Sequence, residues 1–339
     1  YIYHNTKVRI SVNPAKSWQS KKKPLKNRHL KQLLPLLQKE EKKEEKKSAE
    51  LFRGSIFDCP YFFKKQYLLM IIQENIDLLP YNTFHFSCIA RFFVVIKSVD
   101  EIELLIQSDI WKQTEQKLIL WWWSNMCFMT DTFDWIVVKN ELIWKKIIEE
   151  TATSVLVEVG AGENRDAFVR WTIDQWRWWV ENLVSIPGTV GAAPVQNIGA
   201  YGVEAKQTIT AVHCIDLKEW TTHIFDNDWC NFGYRDSLFK SSEYEHFFIS
   251  AVRFRLEKIH NKYTYNVNYE WVEDKTKQLQ TEYPLQSSLR CIATAIASIR
   301  ATKLPDRKTI GTAWSFFQNP VISTTQFEML KETYPTLKW

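Results

Sequence analysis

Ile186-Pro-Gly-Thr-Val-Gly-Ala-Ala-Pro-Val-Gln-Asn-Ile-Gly-Ala-Tyr-Gly202 is the stretch on which the reading of this chain turns. It holds four glycines in seventeen residues, in a chain of 339 residues that has only nine. Small residues let backbone N–H groups approach a ligand closely, and successive N–H groups form anion-binding concavities. Gln196, Asn197 and Tyr201 add hydrogen-bonding groups and an aromatic face. On the residues alone, the stretch is equally a ligand cradle or a well-packed connection.

Outward from it, strand and helix signals mix as in an α/β-type chain. Residues 154–159 (SVLVEV) form an alternating apolar run that ends in Gly160-Ala-Gly162 and reads as a strand. Residues 164–175 have helical spacing, with Phe168, Trp171 and Ile173 on the expected inner face. Residues 117–120 and 135–138 are short apolar runs with β-branched members, and also read as strands. Residues 193–204 lack periodicity and read as a loop. Several strands follow between residues 207 and 256, where Phe248, Ser250, Val252 and Phe254 partly alternate. Residues 285–303 read as a helix stopped before Pro305, and 326–333 as a short one.

Composition narrows the classes. No run of 18 apolar residues exists, so a membrane span is not expected. No charged-apolar-cleavage pattern marks a secretory signal. The six cysteines form no CxxC pair and suggest reduced cytosolic thiols; the seven histidines show no HxxxH spacing, so no metal site is expected. Residues 1–69 hold 17 Lys/Arg against 6 Asp/Glu, a net of +11, while the rest carry a net of −6. The basic segment, with Lys21-Lys22-Lys23 and the run 39–50, reads as a solvated extension with one polar helix. Its aromatic interleaving is weak, so nucleic acid is not the expected partner. It reads as a disordered extension or as translation upstream of the native start, since Met70 stands just before the domain start.

Two further stretches carry polar chemistry. Asn231-Phe-Gly-Tyr-Arg-Asp-Ser237 places Tyr234, Arg235 and Asp236 beside a glycine. Arg300-Ala-Thr-Lys-Leu-Pro305 and Ser315-Phe-Phe-Gln-Asn-Pro320 bring cations, a hydroxyl and an amide close together in the chain. Such cations suit a phosphate or carboxylate ligand. Each stretch alone is a weak signal.

Their order and spacing are more telling. With Tyr81-Asn-Thr-Phe84 and Val159-Gly-Ala-Gly-Glu-Asn164, they resemble the UDP-N-acetylenolpyruvoylglucosamine reductase (MurB) family over roughly residues 76–339. The resemblance implies an α+β fold: a two-part FAD-binding domain of the PCMH type, as in vanillyl-alcohol-oxidase-like flavoproteins, plus a substrate-binding domain. It implies 70–140 and 141–304 as the two FAD-binding halves and 305–339 as the start of the substrate domain. It also implies a cytoplasmic monomer that takes a hydride from NADPH through FAD. The hydride goes to the enolpyruvyl double bond of UDP-N-acetylglucosamine enolpyruvate, giving UDP-N-acetylmuramate, a peptidoglycan precursor.

By the same resemblance, Ser315 matches the general acid, and Arg235 the residue that steadies the substrate carboxylate and developing enolate. Ser124, Asn125, Gly188, Val190, Gln196, Gly199, Ala200 and Tyr201 match flavin-binding positions. Tyr269, Arg300, Lys303 and Asn319 match substrate contacts, with Tyr269 on a loop over the substrate.

Three departures stand out. The family's flavin-phosphate loop reads Gly-x-Gly-Ser-Asn, whereas residues 121–125 here read Trp-Trp-Trp-Ser-Asn. Tryptophan permits neither the positive φ nor the close backbone approach such a loop uses. Trp135, Trp144, Trp176, Trp178, Trp179, Trp220 and Trp314 also stand where the family commonly carries glycine; Trp229 and Trp271 read either way. One replacement chosen so often suggests a glycine codon, TGA, decoded as tryptophan. The last departure is the stop at Trp339, short of the family's catalytic glutamate. With the Tyr1 start, it suggests a fragment exposing apolar surface at Phe316, Phe317 and Phe327. The alternatives are therefore an inactive remnant or mistranslated fragment of this enzyme, or another FAD-dependent oxidoreductase on the same fold.

Overall fold

The chain divides into two units, Tyr1–Tyr67 and Leu68–Trp339. The computed structural model describes residues 70–339 except 121–125, 176, 179, 259–268, 307–308, 313–317 and 336–339, and of residues 178 and 270 the backbone alone. The expectations for residues 1–69 lie outside that range.

In chain order the elements are β1 (Ile72–Asp77), β2 (Ile89–Ile96), α1 (Val99–Gln107), α2 (Asp109–Gln113), β3 (Lys117–Leu120), β4 (Thr132–Asn140), β5 (Lys145–Glu150), β6 (Ser154–Gly160), α3 (Arg165–Asp174) and β7 (Arg177–Trp178). There follow α4 (Ala192–Val195), β8 (Gly199–Ala200), β9 (Val203–Glu204), β10 (Ile209–Asp216), β11 (Thr222–Asp226), β12 (Phe247–Lys258), α5 (Glu270–Glu282), α6 (Ser288–Lys303) and α7 (Thr324–Thr333). The content is α+β, as expected.

Two sheets organise the unit. The first has the order β1-β2-β4-β3, with β4 parallel to both β2 and β3. Side chains alternate across a strand, so β4 feeds two cores. Phe133 and Val137 pack with Leu78, Phe93 and Leu120 on one face. Ile136 and Val138 pack with Ile102, Leu105 and Trp111 of α1 and α2 on the other. A strand covered on both faces needs the near-continuous apolar run seen here.

The second sheet is antiparallel, in the order β11-β10-β12-β6-β5, with β7 on the far end of β12. Val155, Val157 and Val159 of β6 point into its core, beside Phe168 and Ile173 of α3 and Ile292 and Ile296 of α6. β5 (KKIIEE) is exposed throughout, and its lysines and glutamates discourage pairing at that edge. Ile215 and Phe248 of this sheet join the core behind β4, and the Asn140 amide donates to the Ile249 carbonyl at 2.9 Å. The sheets therefore meet at a packed seam.

Two readings change. Residues 193–204 are not a plain loop; they hold α4 and the small β8–β9 hairpin, too short to show periodicity. The helix ending at Lys303 starts at Ser288, where the Ser287 hydroxyl caps it by accepting from Arg290 N at 3.3 Å. Trp171 is half-buried on the rim of the α3 contact face, while Val169 and Thr172 are buried. Phe327 is half-buried, and no residue of α7 is fully buried; Phe316 and Phe317 lie outside the described residues. Among the described residues, no helix is long and apolar enough to cross a membrane.

Candidate active site

The loop quoted at the outset is seated by the turn that follows β6. Arg165 N donates to Gly188 O at 2.9 Å, Val190 N to Glu163 O at 2.9 Å, and Gly191 N to Ala161 O at 2.8 Å. The approach is so close that a Cβ on Gly191 would stand 2.6 Å from the Ala161 Cβ. Glu163, buried, is paired with Lys145 at 2.7 Å, which fixes the base of the turn. The motif at 159–164 thus holds residues 188–191 through main-chain bonds. Gly188 and Val190 are buried, and Gln196 and Ala200 are half-buried.

The second motif is clipped onto the same loop by side chains bonded to backbone carbonyls. The Arg235 guanidinium donates through Nη2 to Gly199 O. Ser237 Oγ donates to Val195 O at 2.7 Å, and Asn197 Nδ2 donates to Gly233 O at 2.9 Å. A Cβ on Gly199 would lie 2.7 Å from Arg235 Nη1 and 2.9 Å from Val203 O, so the arginine seats only over glycine. Arg235 itself has φ +53, and Asn197, fully buried, has φ +40. Non-glycine residues in the left-handed region cost energy and persist where surroundings over-determine them.

The third and fourth motifs arrive from the C-terminal side. Gln318 Nε2 donates to Arg235 O at 2.9 Å, and Lys240 Nζ donates to the same oxygen at 2.6 Å. Burial pulls the Lys240 ammonium below its ordinary pKa. Thr312 N donates to Thr83 O at 2.7 Å, tying the approach to Ser315 back to the Tyr81–Phe84 motif. Asn319 is exposed beside Gln318. Arg300 is half-buried in the last turns of α6, and Lys303 is its exposed final residue.

Tyr201 turns the β8–β9 hairpin with φ +51, and its carbonyl accepts from the fully buried Asn182 Nδ2 at 2.9 Å. Its ring meets Tyr269 at 5.8 Å and Trp271 at 5.5 Å, both edge-on; the Lys303 ammonium lies 3.7 Å from the centre of the Trp271 ring. Gly199, Ala200, Tyr201, Arg235, Tyr269 and Lys303 are therefore joined by a continuous series of contacts. Asn182 and Trp271 complete it, and sequence reasoning had not placed either in the site. Asn182 carries no local motif signal, and Trp271 is visible only as a neighbour of Tyr269. Ser124, Asn125 and Ser315, with Trp121, Trp122, Trp123 and Trp314, lie outside the described residues.

The loop of small residues is closed over Gly199 by a guanidinium and edged by the Tyr201 ring, so it offers backbone groups, a cation and an aromatic face. No cluster of three His, Cys, Asp or Glu able to hold a metal occurs among the described residues. The buried thiols lie in the core. Burial, with the Asp226 charge, pushes Cys230 up to about 12, and burial likewise raises Cys214 well above its ordinary value. Neither is a nucleophile at neutral pH.

Comparison with known proteins agrees with this geometry. Residues 91–221 match the family model described as an FAD binding domain. The UDP-N-acetylenolpyruvoylglucosamine reductase of Flavobacterium johnsoniae is 38% identical over 270 residues, which is 80% of this chain and 77% of that one. That of Pseudomonas aeruginosa is 36% identical over 269 residues, 78% of this chain and 76% of its own length. The crystal structure of UDP-N-acetylenolpyruvylglucosamine reductase (MurB) from Thermus caldophilus superposes with a TM-score of 0.53 at 18% identity, covering 74% of this chain and 76% of that one. It shares the fold. Identity at this level over more than two thirds of the chain decides the family: the chain belongs to the UDP-N-acetylenolpyruvoylglucosamine reductases, oxidoreductases built on an FAD-binding domain.

Proposed function

We propose that this chain reduces UDP-N-acetylglucosamine enolpyruvate to UDP-N-acetylmuramate in peptidoglycan precursor synthesis, as a cytoplasmic monomer with NADPH as hydride donor. One observation carries the reading. Arg235 grips the flavin-loop carbonyl of Gly199 while its own carbonyl takes the Gln318 amide, three residues beyond Ser315. The cation suited to a carboxylate, the loop suited to a flavin and the segment with the hydroxyl acid converge on one residue.

Gly188, Val190, Gln196, Gly199, Ala200 and Tyr201 would hold the ring portion of FAD, with Ser124 and Asn125 toward its phosphates. When bound, FAD supplies the hydride transfer. Arg235 binds the substrate carboxylate and stabilises the negative charge that grows there as the double bond is reduced. Ser315 Oγ donates the proton to the neighbouring carbon. A serine hydroxyl is a weak acid, so this step needs a stabilising surround. Lys303, Arg300, Asn319 and Tyr269 bind the substrate, the first with Asn319 and Tyr269 nearest the diphosphate. In this reading 70–140 and 141–304 are the two halves of the FAD-binding part, and 305–339 opens the substrate-binding part.

The test is direct. The purified chain with glycine restored at Trp121, Trp122, Trp123 and Trp314, mixed with FAD and desalted, is expected to retain flavin absorbance and to oxidise NADPH only when UDP-N-acetylglucosamine enolpyruvate is present. A colourless protein with no substrate-dependent oxidation rejects the reading.

A further inference from the structure

Trp271 is the point where three separate segments meet. It sits at the start of α5, next to Val272, which is buried in the core of the second sheet and whose N–H is bonded to Tyr269 O at 2.8 Å. That anchor leaves the Trp271 ring half exposed. On one side it meets Tyr201 of the flavin loop at 5.5 Å and Tyr269 at 5.6 Å. Over its face lies the Lys303 ammonium, 3.7 Å from the ring centre. Among the described residues no carboxylate is paired with Lys303, so its charge remains available to an anion.

We infer that Trp271 is a positioning residue for the diphosphate of a nucleoside-diphosphate substrate, acting through Lys303. The inference rests on the reading of Lys303 as a diphosphate contact. A lysine stem has four rotatable bonds, and ordering it on binding costs rotamer freedom. A cation held on an indole face is ordered before the ligand arrives, and keeps its outward N–H groups free to donate. The ring also braces Tyr201, so the flavin loop and the diphosphate cation share one support.

The experiment measures UDP binding to the full chain by calorimetry, with thermal melting of each variant alongside. Unchanged protein is expected to bind UDP. Trp271→Leu is expected to weaken it about 3-fold, and Trp271→Tyr, which keeps a π-face, to restore most of the loss. In a Lys303→Met background, which itself weakens UDP about 10-fold by losing the cation, Trp271→Leu is expected to add nothing. The melting temperatures should stay together, since the ring is half exposed. Equal UDP affinity for the parent and Trp271→Leu overturns the inference and leaves the proposed function standing. So does a loss that persists at full size in the Lys303→Met background. No UDP binding by the parent overturns the substrate reading and the inference with it.

Discussion

Tyr201 and Trp220 are both aromatic residues in the left-handed region, at φ +51 and φ +55, and both close a hairpin. Their surroundings differ. At the β8–β9 turn, buried Asn182 holds the Tyr201 carbonyl, two more aromatic rings flank its side chain, and Arg235 grips the strand beside it. At the β10–β11 turn, Trp220 donates its N–H to Asp216 O at 2.9 Å, and its ring only leans on the edge of a core. Left-handed strain at Tyr201 is held in place by converging contacts that over-determine the turn. The same strain without them marks a turn whose geometry asks for glycine.

The largest expected effect breaks the first half of that contrast. Arg235→Ala removes the cation and the clip on Gly199 together, and should lower kcat by about 100-fold or more in NADPH-oxidation assays. Arg235→Lys should recover only part, because the guanidinium fork is lost. Unchanged turnover in Arg235→Ala would place the chemistry elsewhere. Next in size, Asn182→Ala leaves the Tyr201 carbonyl without its donor in a buried setting. It should cost about 1–3 kcal/mol in denaturant unfolding, along with weaker flavin retention.

The third prediction isolates backbone strain at Trp220. Trp220→Gly and Trp220→Ala lose the same ring, yet glycine should be the more stable by about 1 kcal/mol, because alanine keeps the left-handed penalty. At Tyr201 the two substitutions should impair flavin retention alike, since the ring contacts are what matter there. The strain at Trp220, and at Trp121, Trp122 and Trp123 the family's Gly-x-Gly loop, lead us to expect TGA codons; TGG at these positions removes the expectation.

The smallest effect concerns pH. Burial acts to raise the Asp216 pKa, but N–H donation from Glu219 and Lys218, with His246 and His223 nearby, holds the carboxyl below its ordinary value. A depressed carboxylate contributes stability that is present above its unfolded pKa and is lost as the pH falls through the lower folded value. The Trp220 hairpin should therefore loosen in acid, below the ordinary Asp value of 3.8, by hydrogen exchange at Lys218 and Glu219. Asp216→Asn should flatten that dependence.

Much of the fold was legible where side chains alternate. β4 and β6 announced themselves because one or both faces are buried, and β3 by its short apolar run alone. The 193–204 stretch hid α4 and the β8–β9 hairpin because elements of two to four residues show no periodicity, and Asn182, Ser237 and Arg235, distant in the chain, add the bonds that seat them. The site was legible as motifs in order, yet Trp271 was not. Its meaning arises only when Tyr201, Tyr269 and Lys303, far apart in the chain, come together on one ring.

The clip between residues 195–199 and 233–237 has an evolutionary corollary. Its donors are particular side chains, whereas its acceptors are carbonyl oxygens that every residue type supplies. Substitution at Val195 leaves the Ser237 bond in place, while substitution of Ser237 or Arg235 erases a fastening. Drift is thus permitted at Val195 and punished at Ser237, Arg235 and the loop's own donor Asn197, while Gly199 stays glycine because a Cβ there would crowd the guanidinium. A saturation library over both segments should show intolerance that follows the donors Asn197, Ser237 and Arg235, whichever segment they stand on.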